Sequence, residues 1–296
     1  MRAFLFCRYT IYKDDEELGA TAQFTALSEL QGTLAPHRQK ADERKLDTLI
    51  MRPRRIKVGG KDVMTWSVGH ILDVRIIAKY DKAKDRLEIE EVNDGSVRYS
   101  DFVAVPSLGV LAVDDRSGEL HLGGKQALNR FRSVIRMLDG ADASIEFEVS
   151  AAEARKALKT WTLTKFKFTI QPNNPRPVGR LAQELSDQMK LDGIGRVDGQ
   201  ARPAEGQRMH MSNSGYIAPR ADLVEAGYGQ MAITGVTEDG LQAEIKKPPF
   251  SPDLAKNEQT QAKPRELRVS VDDDGLSEED VLKTAAKALI KFKSDE

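Results

Sequence analysis

Positively charged side chains are concentrated in one short stretch of the chain, where five cations fall within ten residues. They are Arg52, Arg54, Arg55, Lys57 and Lys61. Guanidinium groups make bidentate hydrogen bonds to phosphate, and lysine ammonium groups contribute point charges. The stretch therefore predicts a contact site for nucleic acid, either RNA or DNA, or for a larger effector protein.

Two smaller groups of cations occur in the second half of the chain, and we assign them to the same predicted nucleic-acid-binding set. Arg176 and Arg180 lie next to an Asn-Asn-Pro sequence, whereas Lys246 and Lys247 precede a pair of prolines. The stretch over 52–57 also fits a solvated or partner-facing edge strand, because cations on an edge strand discourage aggregation. Both interpretations of that stretch stay open at the level of sequence.

A further group of cations belongs to a predicted strand over residues 161–170. Lys165 and Lys167 lie on one face of this strand, and Phe166 and Phe168 lie on the other. This alternation is typical of a half-buried strand. A surface that stacks RNA bases needs aromatic and cationic side chains on the same face, so we assign no RNA-stacking role to this strand.

The residues Glu244 and Lys246 resemble the strand end of PD-(D/E)xK nucleases. In those enzymes carboxylates hold Mg²⁺, and a lysine stabilises charge near the attacking water. The arrangement requires a further acid on a neighbouring strand, but Asp239 lies in a predicted turn and Asp222 in a predicted helix. A solvent-facing strand with alternating charges explains the same residues. A metal-dependent nuclease is therefore the alternative function.

Other catalytic motifs are absent from the sequence. It contains no phosphate-binding loop, no dinucleotide-binding glycine motif and no nucleophile-elbow serine. The four histidines are scattered and Cys7 is the one cysteine, so we expect no metal and no cofactor. Arg116 and His121 have the Arg-x4-His spacing of HEPN ribonucleases, but they flank a predicted hairpin turn instead of ending a helix. No catalytic residue is assigned, and whether the protein is an enzyme stays open.

The charges of the whole chain almost cancel, with 45 Lys and Arg against 46 Asp and Glu. No overall positive field therefore attracts nucleic acid or an anionic membrane, and such binding would depend on a local patch. No stretch has the roughly 18 uninterrupted apolar residues of a membrane helix. Because a single cysteine cannot form an intrachain disulfide, we expect a cytoplasmic protein without membrane contact.

Hydrophobic periodicity predicts an α+β fold, with a β-rich antiparallel N-terminal half and a mixed α/β C-terminal half. Six short strands follow one another between residues 48 and 114, which favours an antiparallel sheet. Residues 20–34 and 125–138 have the apolar spacing of helices that pack on a core. Residues 277–292 predict a final helix with Ser277 as its N-cap.

Pro-rich and polar segments predict the domain organisation. Residues 173–177 contain two prolines and predict a boundary between a β-rich domain at 1–172 and a mixed domain at 173–296. Residues 193–215 are rich in glycine and polar side chains, which indicates a loop. Residues 248–264 are rich in Pro, Lys, Asn and Gln and predict an extended arm.

Residues 109–250 carry a pattern of turns and elements. It comprises a strand and helix over 109–138, a strand ending at Asn174-Pro175, the sequence Gly227-Tyr-Gly229 and a hairpin over 235–246. This pattern resembles uncharacterised bacterial proteins that are often encoded among anti-phage defence genes. The resemblance covers roughly half of the chain and implies a role in phage defence, but it transfers no catalytic residues.

The basic stretch and the resemblance together predict a component of a bacterial defence system. We expect it to contact nucleic acid or a larger effector protein through residues 52–57. A structural or inhibitory protein-binding module, without a nucleic-acid role, is a further alternative. Salt separates these possibilities, because phosphate contacts weaken steeply as the salt concentration rises.

Overall fold

The computed structural model describes residues 1–38, 45–71, 75–81, 86–92, 96–147, 149, 151–171, 180–212, 215–225, 228–247 and 265–294. In the first part of the chain the elements are β1 (Arg2–Lys13), β2 (Glu16–Glu17), α1 (Ala20–Glu29), β3 (Ala35–Arg38), β4 (Lys45–Val58), β5 (Lys61–Ile71), β6 (Arg75–Asp81), β7 (Arg86–Val92), β8 (Val97–Val105), β9 (Val110–Asp114), α2 (Gly124–Ile135) and β10 (Ala141–Glu146). In the remainder they are α3 (Ala151–Thr160), β11 (Thr162–Ile170), α4 (Arg180–Leu191), β12 (Val197–Ala201), α5 (Ile217–Glu225), β13 (Gly229–Val236), β14 (Gln242–Lys247), β15 (Glu266–Val271) and α6 (Glu278–Ser294).

These elements confirm the predicted α+β fold with a strand-rich N-terminal half. Contacts divide the chain into two compact units, the first formed by Met1–Ile145 with Asp272–Glu296 and the second by Glu146–Val271. The last helix therefore belongs to the same unit as the first strand. The predicted boundary at 173–177 and the predicted arm at 248–264 lie outside the described residues. None of the described helices is long and apolar enough to cross a membrane.

The sheet of the first unit has its strands in the order β1-β9-β8-β5-β4-β3, and each of these neighbouring pairs is antiparallel. β2 and β10 also pair with β1. β4 and β5 form the predicted hairpin, in which Gly59 and Gly60 have the positive φ that a tight turn favours. β6 and β7 pair with each other as a separate ribbon.

Two helices cover opposite faces of this sheet. Neighbouring residues of a strand point to opposite sides, so each contact of a helix identifies the face that it covers. On one face Trp66 and Phe102 stack with their ring centroids 5.2 Å apart, and Phe131 of α2 packs against both. On the other face Phe6 of β1 meets Phe292 of α6 at 6.2 Å. Helices on both faces explain why every residue of β9 is buried.

The core beneath α2 contains an arginine that pairs with no carboxylate among the residues that the structure describes. Arg130 is fully buried, and its Nη1 donates to Thr48 Oγ1 at 3.0 Å. Its Nε and Nη2 have no hydrogen-bond acceptor in the described part of the chain. Burial lowers the pKa of Arg130 to about 10, so the guanidinium keeps its charge at neutral pH. The uncompensated charge therefore reduces the stability of this unit.

We expect Arg130→Met to raise the free energy of unfolding by about 1–4 kcal/mol, because methionine fills similar space without a buried charge. The lowered pKa penalises the charged form, so this gain is complete below the folded-state pKa of about 10 and shrinks as the pH rises through it. Urea unfolding of both proteins at neutral pH and above pH 10 measures the difference. A less stable Arg130→Met variant at neutral pH would contradict the prediction.

The sheet of the second unit has the order β12-β11-β13-β14-β15, again with antiparallel neighbours. Its buried face carries Phe166, Ile233 and Ile245, and α5 packs on β11 and β13. Lys165 and Lys167 lie on the opposite face, as the alternation in the sequence predicts. One face of this sheet is therefore apolar and covered by a helix, and the other is polar.

The loop predicted over 193–215 is wrong in part, because residues 197–201 form strand β12 and pair with β11. Apart from Val197 its residues are weak strand formers, so the sequence carried little strand signal. A Cβ at Gly199 would lie 2.3 Å from the ring of Phe168. The ring thus packs directly on the strand backbone, and only glycine leaves the space for it.

The helix predicted over 20–34 is also too long, since α1 ends at Glu29. Gly32 adopts a φ of 73°, which ends the helical conformation. Its N–H donates to the carbonyl of Ile50 in β4 at 2.9 Å. A long-range hydrogen bond to the sheet therefore replaces the last turn that the apolar spacing predicted.

Candidate functional site

A cleft in the first unit lies between the sheet and the first turns of α6. Strands β4, β5 and β8 form one wall, and α6 forms the other. The lining residues are Arg52, Arg54, Ile56, Thr65, Trp66, Ser67, Asp101, Glu278, Glu279 and Leu282. This arginine cleft contains two of the arginines that the sequence singled out.

A bulge in β4 brings Arg52 into the arginine cleft. The pairing of β4 with β5 shifts register between Met51 and Arg54, and Arg52 has a φ of 52°. Such a backbone is uncommon for a residue with a side chain, and bulges redirect the side chains around them. Pro53 follows and has no N–H to donate to the ladder, which suits a position at a bulge.

Acidic side chains hold Arg52 in place. Its Nη1 donates to Glu278 at 3.0 Å, and its Nη2 donates to Asp101 at 3.2 Å and to Ser67 Oγ at 2.9 Å. The guanidinium also lies 5.4 Å from the ring centroid of Tyr99. Arg52 is therefore a link between β4, β5, β8 and α6, and its charge is largely compensated within the protein.

Two buried aspartates lie behind these contacts. Asp101 is 1% exposed and Asp114 is 0% exposed. Arg2 bridges them, since its Nε donates to Asp114 at 2.9 Å and its Nη2 donates to Asp101. Arg116 adds a hydrogen bond from its Nη2 to Asp114 at 2.7 Å. Each buried carboxylate thus meets a guanidinium, which offsets the cost of removing it from water.

The sequence patterns did not predict the buried charge network of Arg2, Asp101 and Asp114. A signal for them existed, because each is a charged residue inside or at the end of a strand that is otherwise mostly apolar. A charge in such a strand needs a partner. The partners could not be chosen from local sequence, since Arg2 is 99 residues from Asp101 and 112 from Asp114.

Two further cations of the predicted patch are also paired. Arg55 Nη2 lies 3.0 Å from one carboxylate oxygen of Asp62, and Lys57 Nζ lies 2.8 Å from the other. Hydrogen bonds from Arg55 and Lys57 lower the pKa of Asp62 to about 2, so this carboxylate stays ionised. Asp62, on the other strand of the hairpin, therefore neutralises part of the positive charge of the basic stretch.

Arg54 and Lys61 remain as the uncompensated cations of the predicted patch. Neither forms an ion pair with any residue in the described ranges. Arg54 is exposed at the arginine cleft, and Lys61 begins β5 just after the hairpin turn. The structure thus reduces the basic stretch to one exposed arginine beside a cleft and one lysine at the start of β5.

The cations predicted in the second half of the chain have different surroundings. Arg176 and the side chain of Arg180 lie outside the described residues. Lys246 is on the polar face of β14, where its Nζ lies 2.7 Å from the carboxylate of Glu244. These residues belong to the second unit.

Lys247 is buried in the second unit. Its Nζ donates to the main-chain carbonyls of Val224 and Glu225 at the end of α5. Burial lowers the pKa of Lys247, but the carbonyls and the helix C-terminus favour its ammonium form. Since the ammonium is turned into the protein, we leave Lys247 out of the candidate interface.

The residues considered for a nuclease are not gathered into a metal site. Glu244 pairs with Lys246, Asp239 lies in the turn between β13 and β14, and Asp222 pairs with Arg155 at 2.8 Å. Within the described part of the chain, Glu244 belongs to no cluster of three acids that could hold a metal ion. The geometry therefore offers no support for Mg²⁺-dependent cleavage at this strand.

Comparison with protein-family models and with curated protein sequences finds no match for this chain.

Proposed function

We propose that this protein is a binding component of a bacterial anti-phage defence system and contacts a larger effector protein through the arginine cleft. One observation carries the proposal. Arg54 is exposed beside a cleft and forms no ion pair with a described residue, although its neighbours Arg52, Arg55 and Lys57 all do. The proposed role in phage defence is based on the sequence resemblance over residues 109–250.

The charges around Arg54 favour a protein partner over nucleic acid at this cleft. Two arginines and three carboxylates line the cleft, the carboxylates being Asp101, Glu278 and Glu279, so it has no excess positive charge to attract phosphates. Ile56 and Leu282 provide apolar surface beside them. Arginine beside apolar side chains is enriched at the centre of protein interfaces.

Arg54→Glu should weaken binding of the effector protein by about 30-fold or more, the loss typical of an interface arginine that contributes strongly. The complex is first captured from native cells, identified by mass spectrometry and reconstituted from purified proteins for calorimetry. Arg208→Glu is the matched control, because Arg208 is an exposed arginine of the second unit and the charge change is equal.

Equal affinity of the wild type and Arg54→Glu would contradict the proposal. So would capture of nucleic acid that elutes with salt and depends on Arg54. A complex that Arg54→Glu and Arg208→Glu weaken equally would assign binding to overall charge and not to the cleft.

A further inference from the structure

The polar face of the sheet in the second unit presents a row of short side chains between cations. On β13 the residues of this face include Ala232 and Thr234, which pair with Lys167 and Lys165 of β11. On the other side, Ala232 pairs with Lys246 of β14. None of these five residues is buried. Longer cationic side chains therefore flank Ala232 on both sides, whereas Thr234 has Lys165 on one side and Glu244 on the other.

Three cations meet at the β11 side of this face. Lys165 and Lys167 are two residues apart on β11 and therefore point to the same side. Arg202 follows β12, the strand paired with β11, and acts on Lys165 as a like charge. Lys167 is the largest cause of a lowered pKa of Lys165, which is itself half-buried. The cations thus crowd one another, and we call these three residues the cation triad.

The described carboxylates of the second unit compensate the cation triad only in part, since Glu244 acts on Lys165 as an opposite charge. Asp198 on β12 is held by Arg196 at 2.7 Å and by Thr169, and Glu244 is held by Lys246. Neither Lys165 nor Lys167 forms an ion pair within the ranges that the structure describes. The triad therefore differs from the 52–57 stretch, where acids of the same unit pair with most cations.

We infer that the cation triad binds the phosphodiester backbone of nucleic acid along the polar face of this sheet. Phosphate is the anion that matches clustered lysine and arginine side chains without a preformed pocket. Thr234, which pairs with Lys165 on β11 and Glu244 on β14, adds a hydroxyl donor for a phosphate or sugar oxygen. The site lies in the second unit and is independent of the effector contact proposed for the arginine cleft.

The aromatic side chains decide the mode of recognition. Phe166 is 0% and Phe168 is 4% exposed, and both lie on the covered face of the sheet. These two rings consequently offer bases no platform beside the triad, and they make no stacking contribution. Binding should therefore be independent of sequence and strongly dependent on salt.

Fluorescence polarisation with the full chain tests this inference. The probes are labelled single-stranded oligonucleotides of uniform DNA and RNA sequence and a labelled DNA duplex, with inorganic phosphate as a competitor. We expect a Kd on the order of 10⁻⁴–10⁻⁶ M near physiological salt. The double variant Lys165→Glu with Lys167→Glu should weaken binding at least about tenfold and reduce the salt slope by roughly 1–2.

A matched double variant separates the triad from overall charge. Lys159→Glu with Lys190→Glu alters two exposed lysines on α3 and α4 of the same unit and changes the net charge equally. This control should bind like the wild type, and circular dichroism checks that both doubles are folded. Because Arg54 lies in the other unit, Arg54→Glu should also retain nucleic-acid binding while losing the effector.

Three results would overturn the inference. They are no binding of any nucleic-acid probe by the wild type, equal losses in the two double variants, and complete competition by inorganic phosphate at micromolar concentration. The last would identify a small phosphate ligand instead of a backbone. Loss of the effector contact alone would leave this inference intact and affect only the proposal for the arginine cleft.

Discussion

Asp114→Asn should lower the free energy of unfolding by about 3–5 kcal/mol, because it removes the buried carboxylate that Arg2 and Arg116 share and leaves Arg2 with Asp101 alone. Asp114 is fully buried and accepts hydrogen bonds from Arg2 Nε and Arg116 Nη2. Asparagine has nearly the same volume, so the loss reports charge and hydrogen bonding and not a cavity. Urea unfolding monitored by tryptophan fluorescence in a Trp161→Phe background follows the first unit, since the remaining Trp66 lies in its core.

An exposed ion pair of the same unit provides the control. Asp142 accepts from Arg136 Nε at 3.0 Å, and both side chains are more than half exposed. Asp142→Asn should therefore cost less than about 1 kcal/mol. Equal losses in the two variants would mean that burial does not strengthen the contribution of Asp114, which would contradict the account of the buried network.

Local sequence predicted the elements of this fold well where apolar spacing was strong. The β4–β5 hairpin, β8 and α6 all follow from alternation, glycine turns or a capping residue, and these signals act over a few residues. β12 was not predicted because most of its residues are weak strand formers. Its packing against the ring of Phe168 at Gly199 is a contact that local sequence does not show. The end of α1 was missed because a bond to Ile50 ends it.

The candidate site was predicted less completely, because charge compensation is a long-range property. The sequence singled out Arg52 and Arg54 as equivalent members of one patch. Arg52 is paired with Glu278, 226 residues away, whereas Arg54 is not paired within the described chain. Conversely, Lys165 and Lys167 were set aside because their aromatic neighbours lie on the other face. Aromatic side chains on the opposite face exclude base stacking beside the lysines, but they do not exclude contact with a phosphate backbone.

Glu225→Gln should destabilise the second unit by about 3–5 kcal/mol, since it removes the carboxylate shared by two largely buried cations. Arg265 donates to Glu225 from both Nε and Nη2, with the Nε contact at 3.1 Å, and Lys247 Nζ lies 3.7 Å from the same carboxylate. The side chains of Lys247 and Glu225 are 5% and 9% exposed. Water can therefore do little to replace the lost charge.

Hydrogen exchange locates this effect, because Lys247 ends β14 and Arg265 immediately precedes β15. Amide protection in β14, β15 and α5 should fall in Glu225→Gln, while protection in β5 and β8 of the first unit stays at its wild-type level. Glu244→Gln is the control, since its partner Lys246 is 47% exposed and the expected loss is below about 1 kcal/mol. If Glu225→Gln were as stable as Glu244→Gln, the shared carboxylate would be no more than a surface contact. The two ends of β14 and β15 would then be held by their strand pairing alone.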